Sequence, residues 1–216
     1  MAKKNARNTR GKIVNAAWKL FYEQGYEDTT VEEIIDLSGT SKGSFYHYFD
    51  GKDALLSTLS SLFDEKYEEL TGLLTPEMTA MEQLLFLNRE LFHMIEDSIS
   101  LDLLARLYST QLTTNGEKHL LDHNRIYYKL LRKIIAKGQA EGQLSSRSNV
   151  NEMVKLYALC ERALLYDWCL CAGEYALTEY SAKVLPGFLS SFLPLFNRTF
   201  ILLSVKLSIC AISFTE

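Results

Sequence analysis

The chain has three prolines in 216 residues, no cysteine before Cys160, and no acidic residue among its first twenty. Each scarcity excludes something. With so few prolines, long helices can run without interruption, and little strand-like alternation competes with them. The four thiols, Cys160, Cys169, Cys171 and Cys210, lie late in the chain and lack the spacing of a disulfide framework. They read as buried thiols in a reducing compartment. No leader-like apolar run opens the chain, because its first twelve residues are polar and basic, so the expected location is the cytoplasm. The greasy C-terminal region is broken by Pro186, Pro194, Arg198 and Lys206, which excludes a membrane span. There is no G-x-S-x-G, no Walker loop and no catalytic triad, so neither an enzyme nor a cofactor is expected. His119 and His123 are four apart beside Glu117 and Asp122 but lack a third ligand, so no metal site is expected.

What is present is helix, and positive charge at one end. The net charge of −4 argues against nucleic acid, yet Lys3, Lys4, Arg7, Arg10, Lys12 and Lys19 gather where no acid balances them. A first helix is expected over 8–24, with Ile13, Ala16, Ala17, Leu20 and Phe21 as its buried stripe and Gly25 as its stop. Thr30-Val31-Glu32-Glu33 spells a capping box that opens a second helix, closed by Gly39. A third runs from Ser41 to Phe49, and Asp50 is expected to cap a fourth over 53–74. Three helices with short connections, the second joined to the third by a glycine-bearing turn, make the helix-turn-helix layout. Longer helices are expected beyond: 76–96 opening on Thr75-Pro76, then 100–113, 117–137, 149–171 and 178–203.

The third helix is unusual in composition. On a wheel of about 100° per residue, Phe45 and Phe49 share one side, while Gly43 and His47 lie opposite, flanked by Ser44 and Tyr46. A glycine in a helix costs about 0.5–1 kcal/mol relative to alanine. Nothing local offsets that cost, whereas close approach of a DNA backbone would. Lys42 can reach guanine acceptors or a phosphate; Tyr46 and Lys52 suit phosphate oxygens.

The stretch TTVEEIIDLSGTSKGSFYHYFDGKDAL, Thr29 to Leu55, resembles the DNA-binding signature of the TetR family of bacterial regulators. That signature has a threonine pair, an apolar-acidic second helix, Gly-Val-Ser-Lys-Gly-Thr, an aromatic run and a lysine after a short turn. Ser38 and Thr40 depart from its usual alanine and valine. The resemblance implies an all-helical homodimer. Residues 1–53 would form the DNA-binding domain, and 54–216 a larger helical domain that binds ligand and dimerises. The last two long helices would meet their partner copies in a four-helix interface, and a small-molecule effector would change the spacing of the two heads. DNA-contacting positions carried over are Thr30, Ser41, Lys42, Gly43, Ser44, Tyr46, His47, Tyr48 and Lys52.

The larger domain is rich in aromatic residues. A ligand pocket lined by Phe92, Tyr108, Tyr127 and Tyr166, with His93, Gln111 or Arg162 as polar anchors, is expected there. The expected function is a sequence-specific, ligand-released repressor. The alternative is an architectural or interaction protein with the same head and no small-molecule pocket; an activator would differ only in operator placement. The tail 201–216 alternates in a way that suits a strand or an extension of the last helix.

Overall fold

Short polar caps and glycine stops divide the chain into ten α-helices in the computed structural model, which describes residues 2–113 and 118–194, with side chains from 9 onward in those spans. Among the described residues there is no strand. The helices are α1 (Ala2–Glu23), α2 (Val31–Ser38), α3 (Lys42–Tyr48), α4 (Lys52–Leu56), α5 (Leu59–Thr71), α6 (Ala80–Ser98), α7 (Leu101–Thr113), α8 (Ile126–Ala140), α9 (Val150–Leu170) and α10 (Leu177–Leu189). Short 3-10 turns cover His119–Leu121 and Ser190–Phe192. No described helix is long and apolar enough to cross a membrane. The tail 201–216 lies outside the described residues.

Two compact units emerge. One joins residues up to 62 with 100–121; the other joins 63–99 with the residues from 122 onward. Thus α7 packs with the head, a division that a single boundary at 53/54 does not make.

In the head unit, Ile13, Ala17, Phe21, Ile34, Phe45 and Leu55 form the core. Thr30 and Glu33 form the capping box in full, and Gly39 ends α2 at φ 62°. A left-handed residue there suits glycine and satisfies the terminal carbonyls. The expected fourth helix breaks in two. Ser57, Thr58 and Ser60 turn their hydroxyls back onto carbonyls three residues earlier, each at 2.6 Å. Such bonds compete with the helical ladder. Thr58 also accepts from Trp18 Nε1 at 2.8 Å, which ties the break to α1. The N-cap of α4 is Gly51, not Asp50.

In the second unit, α6 starts at Thr79 rather than Thr75-Pro76. Thr79 and Glu82 make a second capping box, a T-x-x-E signal present in the sequence. The start of α6 presses on α8 so closely that a Cβ at Gly138 would stand 2.5 Å from that of Ala80. The expected helix over 117–137 begins only at Ile126. Asp122 Oδ1 accepts from Asn124 N at 2.8 Å, a local turn that holds the chain out of helix. Behind it, Arg125 forks onto Asp64 at 3.0 and 3.1 Å. Nothing in the side chain of Ala176 can cap α10; Glu96 accepts from Leu177 N at 2.6 Å and Thr178 N at 3.0 Å instead.

Candidate nucleic-acid interface

The turn before α2 sets the pose of α2 and α3, and it is clamped. Tyr26 is buried, and its hydroxyl bonds to Asp53. Burial and that carboxylate push the phenol well above its ordinary range. Lys52 Nζ lies 4.3 Å from the ring centroid, and the Arg106 guanidinium 4.8 Å. Arg106, from α7, also meets Glu27 at 2.5 Å and Asp102 at 2.9 Å. Cations near an aromatic face contribute on the order of 0.5–2 kcal/mol.

Against this clamp α3 stands with one side covered. Phe45 is 0% exposed and Phe49 nearly so, whereas Gly43 and His47 are open to solvent. Ser41 caps the helix by accepting from Ser44 N at 3.1 Å, and the two hydroxyls bond at 2.9 Å. Lys42 is exposed and reaches Glu32 on α2 at 3.3 Å. Tyr46 stands outside with its edge on Phe45, and His47 contacts the half-buried Tyr48 with ring centroids 4.8 Å apart. A Cβ built on Gly43 meets only Ser41 Oγ, at 3.9 Å, so nothing inside the chain requires glycine there. Thr30 is exposed but occupied: its hydroxyl donates to Glu33 at 2.8 Å, and the Thr30 amide holds the Glu33 carboxyl below its usual range.

Lys52 departs from its expected role. Its ammonium donates to the carbonyl oxygens of Tyr26, Glu27 and Thr29 at 2.7, 3.2 and 2.9 Å. An ammonium has three protons, and all three are spent on the fold. The residue therefore fastens the turn instead of presenting a charge to phosphate.

The seven candidates for a ligand pocket divide between the two units. Tyr108 and Gln111 belong to the head unit, where Gln111 Oε1 accepts from Leu120 N at 3.2 Å. In the other unit Phe92 is core, and His93 faces solvent 3.0 Å from Asp97. Tyr166 is 47% exposed. Arg162 donates to Tyr128 at 3.3 Å. Tyr127 is buried and donates to Glu161 Oε2 at 2.6 Å. Glu161, which stands beside Arg162 in an otherwise apolar stretch and by sequence could face solvent or be paired, is instead buried. It is 4% exposed, and burial pushes its carboxyl up from the usual value. Asn88 Nδ2 donates to its other oxygen at 2.9 Å. A signal existed: Tyr157, Ala158, Glu161, Leu164, Leu165 and Trp168 follow the i, i+1, i+4, i+7, i+8, i+11 stripe of a buried face. His123 packs against Tyr128, and no described group of three or more His, Cys, Asp or Glu could hold a metal.

The family described as "Bacterial regulatory proteins, tetR family" matches residues 13–59. A Lactococcus lactis protein named as an uncharacterized HTH-type transcriptional regulator is 43% identical over 58 residues, 26% of this chain and 30% of that one. The HTH-type transcriptional regulator QacR of Staphylococcus aureus is 37% identical over 62 residues, 29% of this chain and 33% of its own. These matches span only about a third of each relative's length. Among solved structures, Thermus thermophilus FadR, a TetR-family transcriptional repressor in complex with lauroyl-CoA, superposes with TM-score 0.70 at 25% identity. It covers 86% of this chain and 95% of that one. Bacillus subtilis FadR with stearoyl-CoA shares the fold with TM-score 0.62 at 23% identity, covering 85% and 99%.

Proposed function

Since this chain belongs to the TetR family of bacterial regulatory proteins, we propose that it is a homodimeric, cytoplasmic transcriptional repressor. It binds a duplex operator through α2 and α3 and leaves when a small molecule occupies its larger helical unit. One observation carries the reading: α3 buries Phe45 and Phe49, leaves Gly43, Tyr46 and His47 exposed, and keeps Ser44 half-buried beside them. A short helix with a bare backbone at its start fits the major groove. In this role Gly43 permits close approach, and Lys42, Ser44, Tyr46 and His47 touch bases or phosphates. Thr30, Ser41 and Tyr48 add short contacts at the edges. A groove of about 680 Å³ in the second unit favours ligand control over the pocketless alternative.

Dimerisation has its own support. On α9 the side chains Leu159, Tyr166 and Leu170 are 52%, 47% and 66% exposed and follow one helical stripe. An apolar stripe left open along a helix marks an interaction face, and here the occupant is the same face of a second copy. Leu159→Lys is expected to shift the protein to monomer in sedimentation velocity and to weaken operator binding at least about tenfold. Paired heads held about 34–36 Å apart meet successive grooves, and a single head cannot.

The contact assignment is tested by fluorescence anisotropy with duplexes from the chain's own gene region, at several salt concentrations. Lys42→Ala is expected to lower the slope of log affinity against log salt by about one. Lys52→Ala is expected to leave the slope unchanged and to cost about 1.5–3 kcal/mol of head stability, the scale of hydrogen bonds to a charged donor. A slope that falls for Lys52→Ala and not for Lys42→Ala would reverse the two roles.

A further inference from the structure

We infer that the groove between α6 and α10 is an effector site for an amine-bearing organic cation with an apolar body, and that Asn88 is the residue that reads it. The inference rests on the ligand-controlled reading above and names the site and the ligand chemistry.

The groove holds about 680 Å³, within the size range of small-molecule sites. Met78, Leu85, Phe86, Ala182 and Pro186 provide apolar walls. Its floor is polar, formed by Asn88 and Ser181, both buried. Those two residues begin a chain of hydrogen bonds through four helices. Ser181 of α10 donates to Asn88 Oδ1 of α6. Asn88 Nδ2 donates to Glu161 of α9 at 2.9 Å, and Tyr127 of α8 donates to the same carboxylate at 2.6 Å. The far end rests on α5, where the Tyr67 ring lies 5.0 Å from that of Tyr127.

The orientation of the Asn88 amide follows from this chain. Its NH2 group donates to Glu161, and its oxygen accepts from Ser181 on the side of the groove. The amide thereby turns its carbonyl oxygen, the negative end of its dipole, toward the groove. Glu161 accepts from Asn88 and Tyr127, and burial raises its carboxyl above the usual value. At the rim stand Glu77 and Glu82. The one cation there, Arg89, is drawn off by Glu90 at 2.8 and 2.9 Å and lies over the Phe86 ring. The floor thus offers an acceptor oxygen and the rim two acidic side chains. An ammonium at the floor would take the free lone pair of Asn88 Oδ1 and compete with Ser181. That competition loosens the link between α10 and α6 and shifts the whole chain of bonds toward α5. A coenzyme A thioester, the ligand of both FadR structures, carries several negative charges and would meet the acids of the rim.

The test uses the full-length protein with two probes of the same apolar body and opposite charge, 4-phenylbutylamine and 4-phenylbutyrate. The amine at ten times its Kd is expected to raise Tm by about 3–5 °C and to weaken the operator complex; the acid is expected to do neither. Ala182→Trp fills the groove from an exposed wall position and is expected to abolish the response while leaving the unliganded Tm within about 2 °C. Glu77→Gln is expected to weaken the amine about two- to fivefold. No response to the amine, an equal or stronger response to the acid, or a full amine response in Ala182→Trp would overturn the site. If another compound releases the operator equally from wild type and Ala182→Trp, this site is wrong and the regulator reading stands. If the amine binds but no duplex is ever bound, the site stands and the regulator reading falls.

Discussion

Phe45→Ala is expected to destabilise the head by about 3–5 kcal/mol, the range for removing a fully buried aromatic side chain, and to abolish operator binding. Phe45 is the hub of a short helix that has little stability of its own. Seven residues cannot hold a helix in water, so α3 persists only because Phe45 and Phe49 lock it against α1 and α2. The ring is 0% exposed and meets Phe49 at 5.9 Å between centroids. Emptying that space leaves α3 with its polar side only. Urea unfolding followed by circular dichroism reads the loss. Phe45→Leu, which keeps most of the volume, should cost under about 1.5 kcal/mol and retain binding. Equal effects from both substitutions would mean that the side chain is not a packing hub.

Glu161→Ala is the second large effect. At mildly acidic pH it should destabilise the larger unit by about 2–5 kcal/mol, because it leaves a cavity and strands the Tyr127 hydroxyl and the Asn88 amide without their acceptor. The cost should depend on pH in a set direction. Burial raises the folded-state value of the carboxyl above its ordinary 4.5, so the folded state holds the proton over a window in which the unfolded chain has released it. The stabilising contribution is complete below about 4.5 and is lost as pH rises through the raised value. The stability gap between wild type and variant should therefore narrow as pH increases. A gap that widens with pH would mean that the charged form is favoured at that position.

Much of the head was legible because its signals are local. Thr30 to Glu33 and Gly39 speak through spacing alone, and the structure uses each as written. Phe45 and Phe49 could be separated from Gly43 and His47 by helical period alone. Lys52 was not legible in this way. Whether a lysine after a turn meets phosphate or its own backbone depends on where Tyr26, Glu27 and Thr29 return in space, a relation over more than twenty residues. The break at Ser57 and Thr58 was hidden because hydroxyl bonds to the backbone leave no hydrophobic period. The larger unit was harder still. Its aromatic residues do not reveal which face of a helix meets solvent, so Tyr166 and His93 appeared as pocket candidates although both face outward. Glu161 stayed open between a solvent-facing and a paired position because charge suggests exposure; its place on the apolar stripe of α9 was the better guide.

The central claim is that α3 leaves its outer face open so that a duplex can approach its backbone, and Gly43→Ala tests it most directly. A methyl group there meets nothing inside the chain nearer than 3.9 Å, and alanine favours helix by up to about 0.5–1 kcal/mol. The account predicts a variant that is as stable as wild type or slightly more so, and that binds its operator at least about tenfold more weakly. A variant of raised stability that binds with unchanged affinity at every salt concentration would contradict it.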